Sequence, residues 1–215
     1  MTCCSGQECA GANRFFSRFS AKYAKRFRKK GLEKVQQHLL KGIQRAPVSS
    51  AEILDIGCGV GALHIALLQE GAMRATGVDA AVGMIRQART FAREHGVLEQ
   101  VNYVLGDFTR VADDLAPADI TILDKVVCCY ENVDELVGKS LEKTRRVYAL
   151  SMPRESLIVR WGFAIEIFFA KLFKATFRPY WHNWKNLRAK ITSRGFRPVY
   201  ENRTILWSIA VFERA

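Results

Sequence analysis

The chain has 215 residues, which is enough for one sizeable hydrophobic core but short for two independent domains. Hydrophobic residues make up 49% of it and charged residues 25%, a balance that excludes an intrinsically disordered chain. The formal net charge of +12 leaves nucleic acid, anionic lipid and acidic small molecules open as partners.

The positive charge is concentrated near the start of the sequence. Eleven Lys or Arg residues occur within 14–45, against one acid, Glu33. Aromatic side chains recur there at i, i+4 spacing, at Phe15, Phe19, Tyr23 and Phe27. This spacing predicts amphipathic helices. We interpret residues 13–46 as a basic helical arm, divided near Gly31, that follows a cysteine-containing tail at 1–12.

Beyond the arm, predicted strands alternate with predicted helices. The strands are "SSAEILDIG", "RATGVDA", "VNYVLGD", "ADITILDKVVCCY" and "RRVYALSMP", and the helices are "ALHIALLQEGA", "VGMIRQARTFAREHG" and "VDELVGKSLEKT". A last helix, "NWKNLRAKITSRGF", precedes two strand-like runs in "RPVYENRTILWSIAVFER". The alternation predicts an α/β domain over 47–215, with a doubly wound, mostly parallel seven-stranded sheet that ends in an antiparallel hairpin.

The first predicted strand ends at "LDIGCGVG", residues 54–61. Gly57, Gly59 and Gly61 permit a tight turn and close approach of a ligand to the backbone. The stretch also satisfies the dinucleotide pattern G-x-G-x-x-A through Ala62, so the glycines alone leave two cofactors open. Asp55 separates them, because its charge would oppose a pyrophosphate at the following helix N-terminus. A carboxylate there suits a cation, such as the ammonium group of S-adenosylmethionine.

Further acids end the next strands. Asp79 follows the glycine turn by about twenty residues, where an acid can accept hydrogen bonds from ribose hydroxyls. Asp107 ends the third strand, where it could accept an adenine amino group while Phe108 lies on the ring. Asp124, after the fourth strand, is a candidate near the methionine end. All lie at the carboxyl edge of the predicted sheet, where ligands of doubly wound folds bind.

In the order "ILDIGCGVG", "GVDA", "GDF", "DITILDKVVCCY" and the final hairpin, the chain resembles the class I S-adenosylmethionine-dependent methyltransferases. The resemblance covers most of residues 50–215 and implies S-adenosyl-L-methionine as cofactor. The residues that it assigns to cofactor binding are Asp55, Gly57, Cys58, Gly59, Asp79, Ala80, Met84, Asp107, Phe108 and Asp124. It says little about the methyl acceptor.

The acceptor is inferred from residues 154–184, an insertion dense in aromatic side chains. In related methyltransferases this segment covers the substrate, so we expect an aromatic lid edged by Arg160, Lys171, Lys174 and Arg178. Such a lid favours a small, largely hydrophobic acceptor that could carry an anionic group. A core-packing or dimer-forming helix and peripheral membrane contact are the alternatives for this segment.

Two residues are predicted to act on the acceptor. His182 could be the base or could orient a substrate carboxyl group, and Tyr130 could face the transferable methyl group. The stretch "YWHN", followed by a helix and "RGF", loosely resembles magnesium-protoporphyrin methyltransferases in the C-terminal third of the chain.

Other acceptor classes stay open. The basic arm could dock nucleic acid, although "DKVV" stands where amino-methylating nucleic-acid enzymes carry an "NPPY"-like or "DPPY"-like tetrad. A soft metalloid or thiol acceptor could be held by cysteines, which occur as Cys3, Cys4, Cys9, Cys58, Cys128 and Cys129. A strand at 128–129 would point that pair to opposite faces, against joint chelation. The fold could also serve without turnover, as a partner subunit.

The cysteines and the apolar runs also bear on location. The first residues, "MTCCSGQECAG", contain no apolar signal-peptide core, so a cytoplasmic protein with reduced thiols is expected. The spacing "CCxxxxC" fits no standard zinc pattern, and no metal site is predicted. The best candidate for a membrane-spanning run, 157–177, is interrupted by Arg160, Glu166, Lys171 and Lys174.

Overall fold

A computed structural model describes residues 7–172, 177 and 179–215, with their side chains except those of residues 7–10, 166 and 169–172. The strands are β1 (Glu52–Ile56), β2 (Arg74–Asp79), β3 (Val101–Leu105), β4 (Ala118–Leu123), β5 (Thr144–Pro153), β6 (Phe196–Arg203) and β7 (Trp207–Arg214). The helices are α1 (Gln7–Lys30), α2 (Lys34–Ile43), α3 (Ala62–Gln69), α4 (Val82–Glu94), α5 (Phe108–Val111), α6 (Val133–Glu142), α7 (Leu157–Leu172) and α8 (Trp184–Ser193).

The seven strands form one mixed sheet in the order β3-β2-β1-β4-β5-β7-β6. The pairs among β1 to β5 are parallel, and β7 pairs antiparallel with both β5 and β6. The predicted doubly wound sheet with an antiparallel C-terminal hairpin is therefore confirmed. Strand order reverses between β1 and β4, which is the point where open α/β sheets bind their ligands.

Helices cover both faces of the sheet, so its central strands are buried on both sides. In β1, four of five residues are buried, the pattern of a parallel strand with two covered faces. One face packs against apolar side chains of α2, α3 and α4, such as Leu39, Leu67 and Phe91. The other packs against α6 and α8, through Leu136 and Ile191.

The N-terminal arm packs against the domain. Ser17 Oγ accepts a hydrogen bond from Gly83 N at 3.0 Å, and Asn13 Oδ1 accepts one from Val82 N at 3.2 Å. These two side chains of α1 satisfy amides in the first turn of α4, which otherwise lack helical partners. A Cβ at Gly83 would lie 2.8 Å from Ser17 Cα, so only glycine allows this close approach.

Two element boundaries differ from those expected from the sequence. Helix α1 begins at Gln7, inside the segment 1–12 that we interpreted as a tail, although its end at Lys30 agrees with the predicted division near Gly31. The predicted fourth strand "ADITILDKVVCCY" ends at Leu123, and residues 127–129 form a single turn of 3-10 helix. The cause is Lys125, which adopts a left-handed backbone conformation with φ 60° and turns the chain out of the sheet.

Candidate functional site

A glycine turn connects β1 to α3 at the centre of the sheet's carboxyl edge. Gly57 and Gly59 have φ values of 65° and 55°, a region that residues with a Cβ rarely adopt. A Cβ at Gly57 would also lie 2.4 Å from Val126 Cγ2, whereas at Gly59 it would meet open space. The turn thus presents bare backbone to a cleft.

The cleft encloses a cavity of about 230 Å³ that is open to solvent on one side. Every cofactor-binding residue predicted from the sequence lines it: Asp55, Gly57, Cys58, Gly59, Asp79, Ala80, Met84, Asp107, Phe108 and Asp124. Tyr130 lines it as well.

Asp79 is held at the end of β2 by two amides. Its Oδ2 accepts from Gly59 N at 2.9 Å, and its Oδ1 accepts from Ala81 N at 2.8 Å. Burial raises the pKa of this carboxyl to about 6, although the two amide hydrogen bonds oppose the shift. Each oxygen retains acceptor capacity, so the group is oriented to receive hydroxyl donors from a ligand in the cleft.

Asp107 caps α5 and also meets Tyr130. Its Oδ1 accepts from Thr109 N and Thr109 Oγ1, both at 3.0 Å, and from Tyr130 Oη at 2.9 Å. All three hydrogen bonds share one oxygen, which leaves Oδ2 to accept from a donor in the cleft. Phe108, the next residue, is buried and lines the same region.

Asp55 is paired within the protein interior by a residue that the sequence did not single out. His64 Nδ1 donates to Asp55 Oδ2 at 2.8 Å, and neither side chain is more than 3% exposed. His64 Nε2 lies 3.0 Å from Tyr103 Oη, which donates to Ala88 O. The available signal was a single polar residue in the apolar run "ALHIALL" of α3.

The loop after β4 joins the cleft to the arm. Asp124 accepts from Ser151 Oγ at 2.7 Å and from Gln36 Nε2 of α2 at 3.2 Å. Burial raises the pKa of Asp124, and the positive charge of Lys125 opposes that shift. Lys125 Nζ lies 2.7 Å from Glu33 Oε2, and Glu33 also pairs with Arg26. The arm therefore completes one side of the site.

Comparisons with known proteins agree with this geometry. A family model described as a methyltransferase domain matches residues 53–149. That segment contains the glycine turn and the acids at the ends of β1 to β4. Residues 53–149 therefore carry a methyltransferase domain of the class I S-adenosylmethionine-dependent type.

Curated relatives of this methyltransferase domain include two ubiquinone biosynthesis O-methyltransferases. The protein from Rickettsia felis is 30% identical over 128 residues, which cover 53% of this chain and 51% of the relative. The protein from Xylella fastidiosa is 35% identical over 85 residues, which cover 40% of this chain and 32% of the relative. The chain thus spans about half or less of the length of these relatives.

Solved structures show the same methyltransferase fold. Magnesium protoporphyrin IX methyltransferase from Synechocystis, with bound S-adenosylhomocysteine, superimposes with a TM-score of 0.73 at 20% identity and covers 98% of this chain and 100% of that chain. An O-methyltransferase family 2 protein from Planctomyces limnophilus, in complex with apigenin, superimposes with a TM-score of 0.66 at 17% identity. The superposition covers 95% of this chain and 62% of that chain.

The predicted opposition of Cys128 and Cys129 is wrong, because this part of the methyltransferase domain is a 3-10 turn and not a strand. Both Sγ atoms approach Lys125 O, at 3.6 and 3.5 Å. The hydrogen bond with Cys128, together with burial, raises the pKa of the Cys129 thiol well above its usual value. Cys129 is therefore held as a neutral thiol. Cys3 and Cys4 lie outside the described residues, and nothing is described of the Cys9 side chain.

His182 lies beside the cleft of the methyltransferase domain and not among its described lining residues. Its Nε2 donates to Tyr130 O at 2.8 Å, and Tyr180 N donates to Cys128 O at 2.8 Å. Burial lowers the pKa of His182, which favours a neutral imidazole. Two hydrogen bonds thus connect the segment around His182 to the 128–130 loop.

The expected aromatic lid is only partly described. Within 154–184, the described side chains do not contribute to the cleft lining, whereas Ala12, Phe16 and Tyr23 of α1 do. Phe177 stacks on Phe15 with ring centroids 5.3 Å apart and contacts Phe16 at 5.0 Å. Lys171, Lys174 and Arg178 lie outside the described side chains. Across the described chain, no helix combines the length and hydrophobicity needed to cross a membrane.

Proposed function

We propose that this chain transfers a methyl group from S-adenosylmethionine to a small, largely hydrophobic acceptor. The observation that carries the proposal is the shared cleft. It is lined both by the glycine turn and the strand-end acids and by Ala12, Phe16 and Tyr23 of α1. The polar residues that would bind the donor and the apolar residues that would contact the acceptor therefore line the same cleft.

Each acid would bind a different group of the donor, according to its position along the sheet edge. Asp79 would accept from the ribose hydroxyls, and Asp107 would accept from the adenine amino group while Phe108 packs against the ring. Asp55 would receive the ammonium group, with Asp124 near the methionine end. Gly57, Cys58, Gly59, Ala80 and Met84 would supply close backbone and apolar contacts around these groups.

The acceptor region of the cleft best suits an acceptor with an uncharged aromatic or aliphatic surface. Lys125 is the cation that the described cleft contains, and its ammonium group already lies 2.7 Å from Glu33 and 3.8 Å from Asp124. Its charge is compensated, so the geometry supports the hydrophobic part of the inferred acceptor more than an anionic group. The names of the relatives favour oxygen as the accepting atom.

When bound, S-adenosylmethionine supplies a methyl group on a sulfonium with a good leaving group. The protein's part is then alignment of the two reactants and exclusion of water. Helix α1 would do both, because it covers the cleft and is anchored on α4 through Asn13 and Ser17.

We propose positioning roles for Tyr130 and His182. From the sequence, His182 could be a base or could orient a substrate carboxyl group, and Tyr130 could face the transferable methyl group. Tyr130 donates its hydroxyl proton to Asp107, and burial followed by the charge of Asp107 raises the tyrosine pKa well above its usual value. A phenol in this state orients Asp107 and does not accept a proton. His182 holds the backbone of Tyr130 and would fix that orientation.

The proposal is tested by acceptor screening with methyl-labelled S-adenosylmethionine. The panel contains hydrophobic phenols and catechols, aromatic carboxylates, arsenite and random-sequence RNA. We expect label in the phenols or catechols, with activity retained in a Cys128→Ser/Cys129→Ser double variant. Labelling of RNA alone would favour nucleic acid docked by the basic arm, and labelling of arsenite that the double variant loses would favour a soft metalloid acceptor. Either result would overturn the proposal.

A further inference from the structure

Helix α7 exposes an unusually apolar face. Ile158 is 84% exposed and Trp161 is 71% exposed, although the sequence of this helix, "LIVRWGFAIEIFFAKL", is mostly apolar all round. A helix of that composition is ordinarily buried. Contiguous exposed apolar surface of this kind marks an interaction site.

The exposed and buried sides of α7 lie on different faces. At about 100° per residue, Leu157, Ile158, Trp161 and Ile165 fall within one arc of about 100°. Val159, which is buried, and Phe163, which contacts the Trp181 ring at 5.5 Å, lie on the far side. The helix therefore rests on the domain through one face and presents a wholly apolar opposite face.

The tip of the β6–β7 hairpin extends the same surface. Arg154 N donates to Leu206 O at 2.8 Å, which places the tip beside the start of α7. Ile205 is 84% exposed, and Leu206 is also exposed. We define the α7–hairpin patch as Leu157, Ile158, Trp161, Ile165, Ile205 and Leu206.

The charge around this patch is positive. Arg154, Arg160 and Arg203 lie beside it, and none of them forms an ion pair with another described residue. Glu155, the acid next to the patch, accepts a hydrogen bond from Trp184 N. Apolar side chains that include a tryptophan, with arginines beside them, match a bilayer interface with anionic headgroups.

We propose that the α7–hairpin patch docks the protein onto an anionic lipid surface. A second copy of the chain fits less well, because the net charge of +12 and the facing arginines of two copies would repel. The patch follows the carboxyl end of β5, at the same sheet edge as the cleft. Docking there would place the cleft close to the membrane, where hydrophobic acceptors partition. The inference goes beyond the proposed methyl transfer and does not depend on it.

The test is flotation of the purified full chain with vesicles, in the absence of donor and acceptor. One vesicle set contains phosphatidylcholine alone, and the other contains phosphatidylcholine with phosphatidylglycerol. We expect the protein to float with the anionic vesicles and much less with the neutral ones. An Ile158→Glu/Trp161→Glu variant should bind at least roughly tenfold more weakly, because it places two charges where apolar side chains enter the interface.

Matched controls separate docking from unfolding or self-association. Met73→Glu adds a charge at an exposed apolar residue at the opposite edge of the sheet and should bind like the unaltered protein. Trp161→Phe should still bind but lose quenching by brominated lipid. The α7 variant should keep its circular dichroism spectrum and its affinity for S-adenosylmethionine. Absence of vesicle binding, equal binding by the α7 variant, or a dimer that the α7 variant abolishes in place of vesicle binding would overturn the proposal.

Discussion

The imidazole of His64 donates to Asp55 across 2.8 Å, so this acid, which lines the cleft, is held from within the core. Asp55 Oδ2 is engaged by this bond, which orients the carboxylate and leaves Oδ1 for a ligand. His64 thereby connects α3 and, through Tyr103, β3 to the cleft.

Replacing His64 by asparagine or by glutamine tests its contact with Asp55 separately from its contact with Tyr103. His64→Asn keeps a donor near the Nδ1 position, whereas His64→Gln moves it toward Tyr103 and leaves Asp55 without a partner. Because an unpaired buried polar group costs about 1–3 kcal/mol, we expect the glutamine variant to lose about that much unfolding free energy in urea. The asparagine variant should lose less.

The same variants should discriminate between ligands. S-Adenosylmethionine carries the amino-acid end that Asp55 would bind, and 5′-methylthioadenosine lacks it. Calorimetry should show weaker binding of S-adenosylmethionine to His64→Gln and little change for 5′-methylthioadenosine. Equal losses for both ligands would contradict the assignment of Asp55.

Donor affinity should depend on pH through Asp79. Its pKa is raised from 3.8 to about 6, so the folded chain holds this proton more tightly than the unfolded chain does. The contribution of Asp79 to stability therefore falls as pH rises from 3.8 through about 6. The ionised carboxylate accepts hydroxyl hydrogen bonds more strongly, so affinity should rise over this range. Asp79→Asn should flatten the profile, and a flat profile in the unaltered protein would exclude this role.

Tyr130→Phe and His182→Ala test positioning against base catalysis. Loss of a general base typically lowers kcat by about 10²- to 10⁴-fold. We expect less than about tenfold for either variant, with an unchanged pH profile of kcat, since neither group would accept the proton. For Tyr130→Phe the main effect should be a higher KM for S-adenosylmethionine, through Asp107. A loss of about a hundredfold or more with an altered pH profile would restore the base assignment.

Adjacent phenylalanines of α1 provide a test of the acceptor surface. Phe16 lines the cleft, whereas Phe15 is 39% exposed and lies outside the described lining. With an acceptor identified by screening, Phe16→Ala should raise the acceptor KM by about tenfold or more, because apolar contact area is lost. Phe15→Ala should change it little. Similar effects of both substitutions would place the acceptor elsewhere.

The residues that we propose for donor binding could be predicted because their determinants are local. The turn at Gly57 and Gly59 and the acid after each strand are fixed by residues adjacent in sequence, and parallel strands bring their carboxyl ends together at one edge. The sequence was therefore enough to place Asp79 and Asp107 at this edge.

The surface that we propose for the acceptor depends on contacts distant in sequence. Helix α1 lies over the cleft because Asn13 and Ser17 accept hydrogen bonds from the first turn of α4. No local sequence pattern predicts these contacts. The turn at Cys128 and Cys129 was missed because its cause is the left-handed backbone of Lys125, stabilised by Ser151 from β5. The partner of Asp55 was missed for the same reason, since the role of His64 depends on tertiary packing.

The most direct test of the central claim is titration calorimetry of S-adenosylmethionine binding. The account predicts saturable one-to-one binding that S-adenosylhomocysteine competes away. Asp79→Ala should abolish it, and Asp113→Ala, at an exposed acid, should preserve it. Absence of binding to the unaltered protein, preference for a dinucleotide, or unchanged affinity in Asp79→Ala would contradict the account.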